Sequence, residues 1–140
     1  MTQLPLRAQL AAALGRTAAL LSRMTGRGDG SVIGGRVGLL LEPDLLRQLA
    51  ANRRLALVSA TNGKTTTTRL ITSALQELGE VATNAFGANM PAGHVTALSQ
   101  AKDAPYGVLE VDEKYLPEVL DTTGAAVVCL MNLSRDQMDR

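Results

Sequence analysis

The sequence predicts an α/β fold with a phosphate-binding loop and a mostly parallel sheet flanked by helices. Short apolar runs alternate along the chain with segments of helical period. One run, Leu55–Val58, leads into Ser59–Thr66, which contains Gly63-Lys64-Thr65, and a helical segment follows. Strand, Gly-Lys-Thr turn and helix, in that order, are the layout of a phosphate-binding loop.

Composition excludes several classes of protein. A chain of 140 residues has the length of one domain, and its 46% hydrophobic content and net charge of +1 exclude a disordered chain or a strongly basic nucleic-acid binder. Only 2% of the residues are aromatic, so a base-stacking surface is excluded. Cys129 is the single cysteine, which rules out an intrachain disulfide and suits a reducing compartment. No run of consecutive apolar residues reaches the roughly 18 residues of a membrane span.

The N-terminal part is predicted as a helix and a linker, residues 1–29, ahead of the main domain, residues 30–140. The helix covers Leu4–Met24, and the glycine-dense stretch Thr25–Gly38 reads as a flexible linker into the first turns of the main domain. The helix is basic and free of acidic residues, so contact with a membrane surface is one interpretation. Packing on the domain or on a partner is the favoured one. The apolar stripe that would make this contact is Leu6, Leu10, Ala13, Leu14, Ala18 and Leu21.

Two elements are expected before the phosphate-binding loop. Val37–Leu41 reads as a short strand. Asp44–Asn52 reads as a helix that begins next to Pro43 and turns its leucines inward. Those leucines are Leu45, Leu46 and Leu49.

The loop itself predicts a nucleotide site. Amide groups at the start of the helix Lys64–Leu78 would bind phosphate, Lys64 would neutralise it, and the Thr65 hydroxyl would bind magnesium. Val58 stands where a full Walker A pattern has glycine, so the match is incomplete, and the alternative is a hairpin-like Asn-Gly turn. The helix is expected to pack through Leu70, Ile71, Ala74, Leu75 and Leu78.

The loop Asn84–Gly93 follows a predicted strand, Glu80–Thr83. Ligands of open α/β sheets bind at the carboxyl ends of strands, so this loop either closes over a substrate or is an ordinary surface loop. Asn84 and Asn89 are its candidate substrate contacts. His94 has no obvious partner in the sequence, which favours a place at the surface or at a helix start.

A third predicted strand, Tyr106–Val111, carries Glu110 near its carboxyl end. Glu110 is flanked by apolar residues, and a buried unpaired carboxylate is costly, so Glu110 is assigned to magnesium. Asp112 and Glu113 fit the start of a helix, Lys114–Leu120. A fourth strand, predicted as buried, covers Ala125–Met131 with Cys129 in the core, and a polar segment, 132–140, follows.

Three of these segments together resemble the central ATPase domain of the Mur ligases. They are Ala60–Thr65, Leu109–Glu113 and Asn132–Arg140. Within that superfamily the likeness is to the MurT family, the ligase-like subunits of lipid II isoglutaminyl synthase. Gly30–Val37 and Asn84–Gly93 also resemble that family, so the likeness covers about residues 30–140.

The resemblance implies an ATP-dependent ligase of peptidoglycan biosynthesis. The D-glutamate of the lipid II stem peptide would be amidated to D-isoglutamine, with ammonia from a glutaminase subunit (GatD-type) in a heterodimer. The enzyme would be cytoplasmic and act at the inner face of the cell membrane. Lys64 would be catalytic, and ATP would be held by Thr61, Asn62, Gly63, Lys64, Thr65 and Thr66. Thr65 and Glu110 would hold Mg²⁺, and Gln137 would offer a further oxygen.

The chain departs from the Mur ligase pattern at two residues. Ala60 replaces a usual glycine, and Gln137 replaces a metal-binding histidine, a replacement that also occurs in the MurT family. The family continues with a zinc-binding insertion and further domains, so the chain is expected to be an N-terminal fragment, inactive alone, with zinc only downstream. Another Mur-like ligase, such as a folylpolyglutamate synthase, and a nucleotide-binding module without ligase activity are the alternatives.

Overall fold

The computed structural model describes residues 4–26, 30–84 and 88–134. These residues form helices and strands in the order α1, α2, α3, β1, α4, β2, α5, β3, α6 and β4. The helices are α1 Leu6–Met24, α2 Ile33–Leu41, α3 Leu45–Ala50, α4 Lys64–Gln76, α5 Pro91–Gln100 and α6 Leu116–Thr123. The strands are β1 Arg54–Ser59, β2 Val81–Thr83, β3 Tyr106–Glu110 and β4 Val127–Leu130.

The four strands form one parallel sheet in the order β2-β3-β1-β4, which confirms the predicted fold class. β1, which precedes the phosphate-binding loop, lies between β3 and β4, and Val58 pairs with Glu110. Right-handed crossovers place α4 on one face of the sheet and α5 and α6 on the other. The carboxyl ends of β1, β2 and β3 therefore meet at one edge.

The hydrophobic core lies between the sheet and the layer that α5 forms with α3 and α1. Leu57, Leu98 and Leu109 are among its fully buried side chains. Leu45, Leu46 and Leu49 of α3 are buried as predicted. Because Ala8, Ala11 and Ala12 of α1 belong to the same core cluster, the N-terminal helix is packed on the domain.

The predicted packing face of α1 is wrong. Its buried residues are small, namely Ala8, Ala11, Ala12, Gly15 and Ala19, whereas Leu6, Leu10, Leu14 and Leu21 are exposed. Gly15 contacts Gly34 of α2 so closely that an added Cβ would lie 2.5 Å from the Gly34 carbonyl oxygen. Such a short approach leaves room for small side chains only.

Residues 33–41 form helix α2, so the predicted strand Val37–Leu41 is wrong, and so is the linker interpretation of the glycines beside it. An added Cβ at Gly35 would lie 1.7 Å from the carbonyl oxygen of Ala92 in α5. The glycines of α2 thus allow close helix packing and do not interrupt the helix. Tertiary contact overrides their low helix propensity.

Helix α4 also presents an unexpected face. Thr68 and Thr72 are buried toward the sheet, while Leu70 and Leu78 are each 68% exposed, so the predicted leucine packing face is wrong. β4 is the edge strand of the described sheet, and its Val127 and Leu130 are exposed, so the prediction that it is buried is wrong as well. Cys129 is half-buried.

The remaining predicted elements are confirmed with shifted ends. β2 and β3 begin or end within one residue of the predictions, and α6 begins two residues late, at Leu116. No helix within residues 4–26, 30–84 and 88–134 combines the length and apolarity that a membrane-spanning segment needs.

Candidate functional site

The loop between β1 and α4 is bound by Asn132, which lies just beyond the neighbouring strand β4. Gly63 caps α4 with φ +88°, a left-handed conformation that favours glycine. Asn132, just beyond β4, accepts hydrogen bonds from the Thr61 amide (2.8 Å, through its carbonyl) and the Asn62 amide (3.0 Å, through its side chain). Its side-chain amide donates to the Asn62 carbonyl at 3.0 Å. Asn132 therefore fixes the entrance of the loop.

The amides of this segment divide into two groups. Those of Thr61 and Asn62 already donate to Asn132, so they serve the loop itself. Those of Lys64, Thr65 and Thr66 form the first turn of α4 and have no acceptor within the helix. The positive end of the helix dipole lies at the same place, so the turn is suited to bind an anion.

Lys64 is buried and lies back across the loop. Its side chain is 9% exposed, and its ammonium group donates to the carbonyl oxygens of Ala60 and, at 3.4 Å, of Thr61. It also forms an ion pair with Glu113 at 3.5 Å. The two carboxylates that were predicted at a helix start thus have different partners. The side chain of Asp112 accepts from the Lys114 amide at 3.0 Å, whereas Glu113 pairs with Lys64.

Thr65 and Glu110, which the sequence assigns to one magnesium ion, lie side by side. The Thr65 hydroxyl is 3.2 Å from Oε1 and 3.0 Å from Oε2 of Glu110. Glu110 is 4% exposed and forms no ion pair with any described basic side chain. A buried carboxylate without a cationic partner, next to a hydroxyl, fits a hard cation that prefers oxygen ligands.

This pair is not a complete metal site by itself. In the part of the chain that the structure describes, no group of three His, Cys, Asp or Glu side chains converges on one point. Mg²⁺ usually takes one or two carboxylates and completes its shell with phosphate oxygens and water. The Thr65–Glu110 pair therefore suits magnesium that arrives with a nucleotide.

Asn84 is buried and fixes the backbone of Glu110. Its side-chain oxygen accepts from the Glu110 amide at 2.7 Å, and its side-chain amide donates to the carbonyls of Glu110 and Ala88, each at 2.8 Å. The side-chain oxygen and amide of Asn84 thus both bind inside the protein, and its contact with a substrate stays a prediction. Asn89, the other candidate, is half-buried, and its carbonyl accepts from the Asp112 amide at 3.0 Å.

His94 supports the same strand end from α5. Its imidazole is fully buried, so the prediction of a surface position is wrong, although it does lie in the first turn of a helix. Nε2 donates to the Glu110 carbonyl at 2.9 Å, and Nδ1 has no partner among the described residues. Burial lowers the pKa of His94 to about 4, an effect that this hydrogen bond offsets only in part. The ring is therefore neutral at pH 7.

A cavity of about 220 Å³ lies beside Glu110, between α4 and β2. Thr68, Thr72 and Thr83 line it, and their hydroxyls have no partner among the described residues. The hydroxyls of Thr17, in α1, and Thr96, in α5, instead bond to a carbonyl in their own helices. The cavity thus leaves room for a ligand next to the Thr65–Glu110 pair.

Several contributors were not predicted from the sequence. They act through contacts with residues far away along the chain, and they are Asn132, His94 and Glu113. For Asn132 alone the sequence held a signal, namely its position after a strand that ends at the same edge of the sheet. Ala60, which replaces the usual glycine, is fully buried, and its carbonyl accepts from Lys64. Gln137 lies outside the described residues.

Comparison with known proteins identifies the family. Residues 58–140 match the Mur ligase middle domain. Over 126 residues the chain is 41% identical to the lipid II isoglutaminyl synthase (glutamine-hydrolyzing) subunit MurT of Streptococcus pneumoniae (strain ATCC BAA-255 / R6), covering 86% of this chain and 28% of that protein. The subunit of the same name from Staphylococcus aureus (strain COL) is 34% identical over 131 residues, which are 91% of this chain and 30% of that protein.

A ligase of another kind is also similar. The UDP-N-acetylmuramate--L-alanine ligase of Nocardioides sp. (strain ATCC BAA-499 / JS614) is 38% identical over 95 residues, covering 68% of this chain and 20% of that protein. The chain spans less than a third of the length of these curated relatives. Because the matched domain covers more than half of the chain and includes the loop and Glu110, the chain belongs to the Mur ligase family and resembles its MurT members.

Proposed function

We propose that this chain supplies the ATP site of a ligase that amidates the D-glutamate of the lipid II stem peptide to D-isoglutamine. The observation that carries the proposal is the position of the Thr65 hydroxyl, 3.0 Å from a buried Glu110 oxygen and in the first turn of α4. A phosphate on that turn would place its oxygens beside both groups. This is the arrangement that a magnesium–nucleotide complex requires.

The residues of the loop would bind and orient ATP. The first-turn amides of α4 would hold the phosphates, and Lys64 would turn from Glu113 toward them. Thr65 and Glu110 would hold Mg²⁺, which when bound supplies charge neutralisation between the phosphate and an incoming carboxylate. The threonine-lined cavity would place the acceptor next to these groups. Lys64 and the helix dipole contribute further positive charge at the point where the negatively charged phosphate and carboxylate approach each other.

The proposed reaction has two bond exchanges. The acceptor carboxylate attacks the γ-phosphorus of ATP, so that an O–P bond forms, the bond to ADP breaks, and an acyl phosphate results. Ammonia then attacks the acyl carbon, the C–N bond forms, and inorganic phosphate leaves with the C–O bond electrons. The excess proton of the amine passes to solvent or to phosphate.

The names of the MurT relatives support glutamine as the source of ammonia. Two of them are described as subunits of a glutamine-hydrolyzing synthase. We therefore propose a heterodimer with a glutaminase subunit of the GatD type, located in the cytoplasm at the inner face of the membrane. The similarity to an L-alanine ligase supports a second candidate, in which an amino acid replaces ammonia as the nucleophile.

The test uses the full-length protein purified together with its glutaminase partner. We expect ATP hydrolysis that depends on both lipid II and glutamine, with amidated lipid II detected by mass spectrometry. Product carrying an added amino acid would favour the second candidate. ATP hydrolysis at a rate that does not depend on any acceptor would contradict ligase activity altogether.

Lys64→Ala tests the phosphate-binding role in the same protein. We expect nucleotide affinity to fall by at least about thirtyfold, since a buried charge pair is worth about 2 kcal/mol or more. Lys102→Ala is the matched control, because Lys102 is an exposed lysine with only a long ion pair to Asp103 at 3.8 Å. Equal affinity of Lys64→Ala and wild type, measured by calorimetry, would contradict the assignment of the loop.

A further inference from the structure

Helix α1 is apolar on the side that faces away from the domain. Leu6, Leu10, Leu14, Leu20, Leu21 and Met24 are between 52% and 82% exposed. At 100° per residue these side chains share one face of the helix, opposite the buried alanines. We call this set the outer leucine face. A helix with apolar residues on two opposite faces is normally covered on both of them.

Helix α2 also presents a leucine to the outside. It packs along α1, and its Leu40 is 84% exposed. Single exposed leucines are ordinary on a protein surface, and Leu70 of α4 is one. Six large apolar side chains in one row on one helix are different, because apolar patches of this size mark interaction sites.

The charge of the chain is uneven, and the positive part coincides with these helices. Residues 1–41 contain five arginines and one aspartate, a net charge of +4. Residues 42–140 contain nine basic and twelve acidic residues, a net charge of −3. Such an asymmetry within one small domain favours contact with an anionic surface.

The arginines flank the outer leucine face. By helical geometry Arg7 lies on one side of the face, and Arg16 and Arg23 lie on the other. Within the described residues Arg7 forms an ion pair with Glu42 at 3.3 Å, and Arg16 donates to the Ser99 carbonyl at 3.2 Å. Arg23 and Arg36 are exposed and form no ion pair with a described acidic side chain.

We propose that α1 lies in the surface of an anionic lipid membrane. The outer leucine face would enter the boundary of the acyl chains, and the exposed Arg23 would reach lipid phosphates beside it. Long basic side chains along an apolar face are the pattern of helices that lie in the membrane interface. The inference is independent of the proposed function, because it rests on α1 and α2 alone.

A second copy of the chain fits this surface less well. Two such helices packed face to face would bring their flanking arginines together, and like charges at an interface are unfavourable. An acidic residue that could relieve this repulsion is absent from α1. An anionic membrane supplies both an apolar layer and the opposite charge, so it matches both features.

Vesicle flotation of the full-length protein tests the proposal. We expect binding to phosphatidylcholine vesicles that contain phosphatidylglycerol and much weaker binding to pure phosphatidylcholine. Leu10→Gln/Leu14→Gln should reduce the bound fraction at least tenfold, since each buried methylene contributes about 0.8 kcal/mol. Arg23→Gln should weaken binding about fivefold, the equivalent of about 1 kcal/mol per basic residue near an anionic surface.

Leu70→Gln is the matched control, because Leu70 is an exposed helical leucine outside this face, and it should bind as wild type does. All replaced side chains are at the surface, so unchanged circular dichroism should show that the variants fold. Absence of binding to the anionic vesicles, or equal binding by Leu10→Gln/Leu14→Gln, overturns the proposal. So does a dimer that these two substitutions dissociate in the absence of lipid.

Discussion

Lys64 and Glu110 have opposite charges and lie at the same edge of the sheet, yet each has a different partner. Lys64 pairs with Glu113 at 3.5 Å, and Glu110 contacts the Thr65 hydroxyl. Because Lys64 does not pair with Glu110, the carboxylate of Glu110 is left to bind a cation. The ion pair with Glu113 holds Lys64 over the loop. Glu113 is three residues beyond the end of β3, so its place follows from the strand that carries Glu110.

Glu113→Gln should strengthen ATP binding. The substitution removes the acidic partner of Lys64 and a negative charge near the phosphates, and both effects favour the nucleotide. We expect an increase in affinity of about fivefold, since a partly exposed ion pair contributes up to about 1 kcal/mol. Calorimetric titration of the full-length protein measures it.

Glu118→Gln is the control for that titration. Glu118 is an exposed acid in the first turn of α6, so its removal changes net charge equally without touching Lys64. The two variants should differ. Equal affinities, or weaker binding by Glu113→Gln, would mean that Glu113 does not compete with phosphate for Lys64.

At the scale of the helices, small and polar residues make the contacts that leucines usually make. α1 packs through alanine and glycine, α2 through glycine, and α4 through threonine. These small residues shorten the distance between helix axes, because two glycines in contact let the backbones approach each other. The consequence is that α1 and α4 both present leucines to the outside.

Gly35→Ala should destabilise the protein by about 3 kcal/mol, the upper part of the range for overpacking a tight contact. The new Cβ would lie 1.7 Å from the carbonyl oxygen of Ala92, so α2 must move away from α5. Chemical denaturation measures the loss. Leu40→Ala, at an exposed position of the same helix, should change stability by no more than about 0.5 kcal/mol. Equal effects would show that the α2–α5 contact is looser than described.

At the scale of the whole molecule, one core joins the N-terminal helices to the sheet. His94 lies inside it and links α5 to the end of β3 through the Glu110 carbonyl. Its neutral form is required there, because burial lowers its pKa. The stability of the fold therefore depends on pH.

Stability should fall as the pH decreases from 7 to 5. In the unfolded chain His94 has a pKa of about 6.5, and in the folded protein about 4. Between these values the unfolded state binds a proton that the folded state does not, so protonation favours unfolding. The expected loss is about 2 kcal/mol between pH 7 and pH 5, with no further contribution above pH 7.

Urea unfolding at several pH values tests this dependence. The matched variant is His94→Gln, which keeps a side-chain hydrogen-bond donor and removes the titrating group. Its stability is expected to be lower overall and nearly constant between pH 7 and pH 5. The same slope in wild type and variant would assign the pH dependence to other residues.

Most of the fold near the site was predictable from local patterns. Apolar runs specify β1, β2 and β3, and Gly63-Lys64-Thr65 specifies the start of α4. Glu110 was placed beside Thr65 because parallel strands end at a common edge. The main errors concern α2, where glycine was taken for flexibility, and the packing faces of α1 and α4, where leucine was taken for core. The burial of β4 and of His94 was also predicted wrongly.

The fold class, the phosphate-binding loop and the likeness to the Mur ligases follow from the sequence alone, because each rests on short segments that can be recognised one at a time. The tertiary structure was needed to show that Asn132 holds the loop, that Asn84 holds Glu110 and that Glu113 pairs with Lys64. It was also needed to show which face of each helix is buried. These features depend on distances between separate elements, and a local pattern of residues contains no such distances.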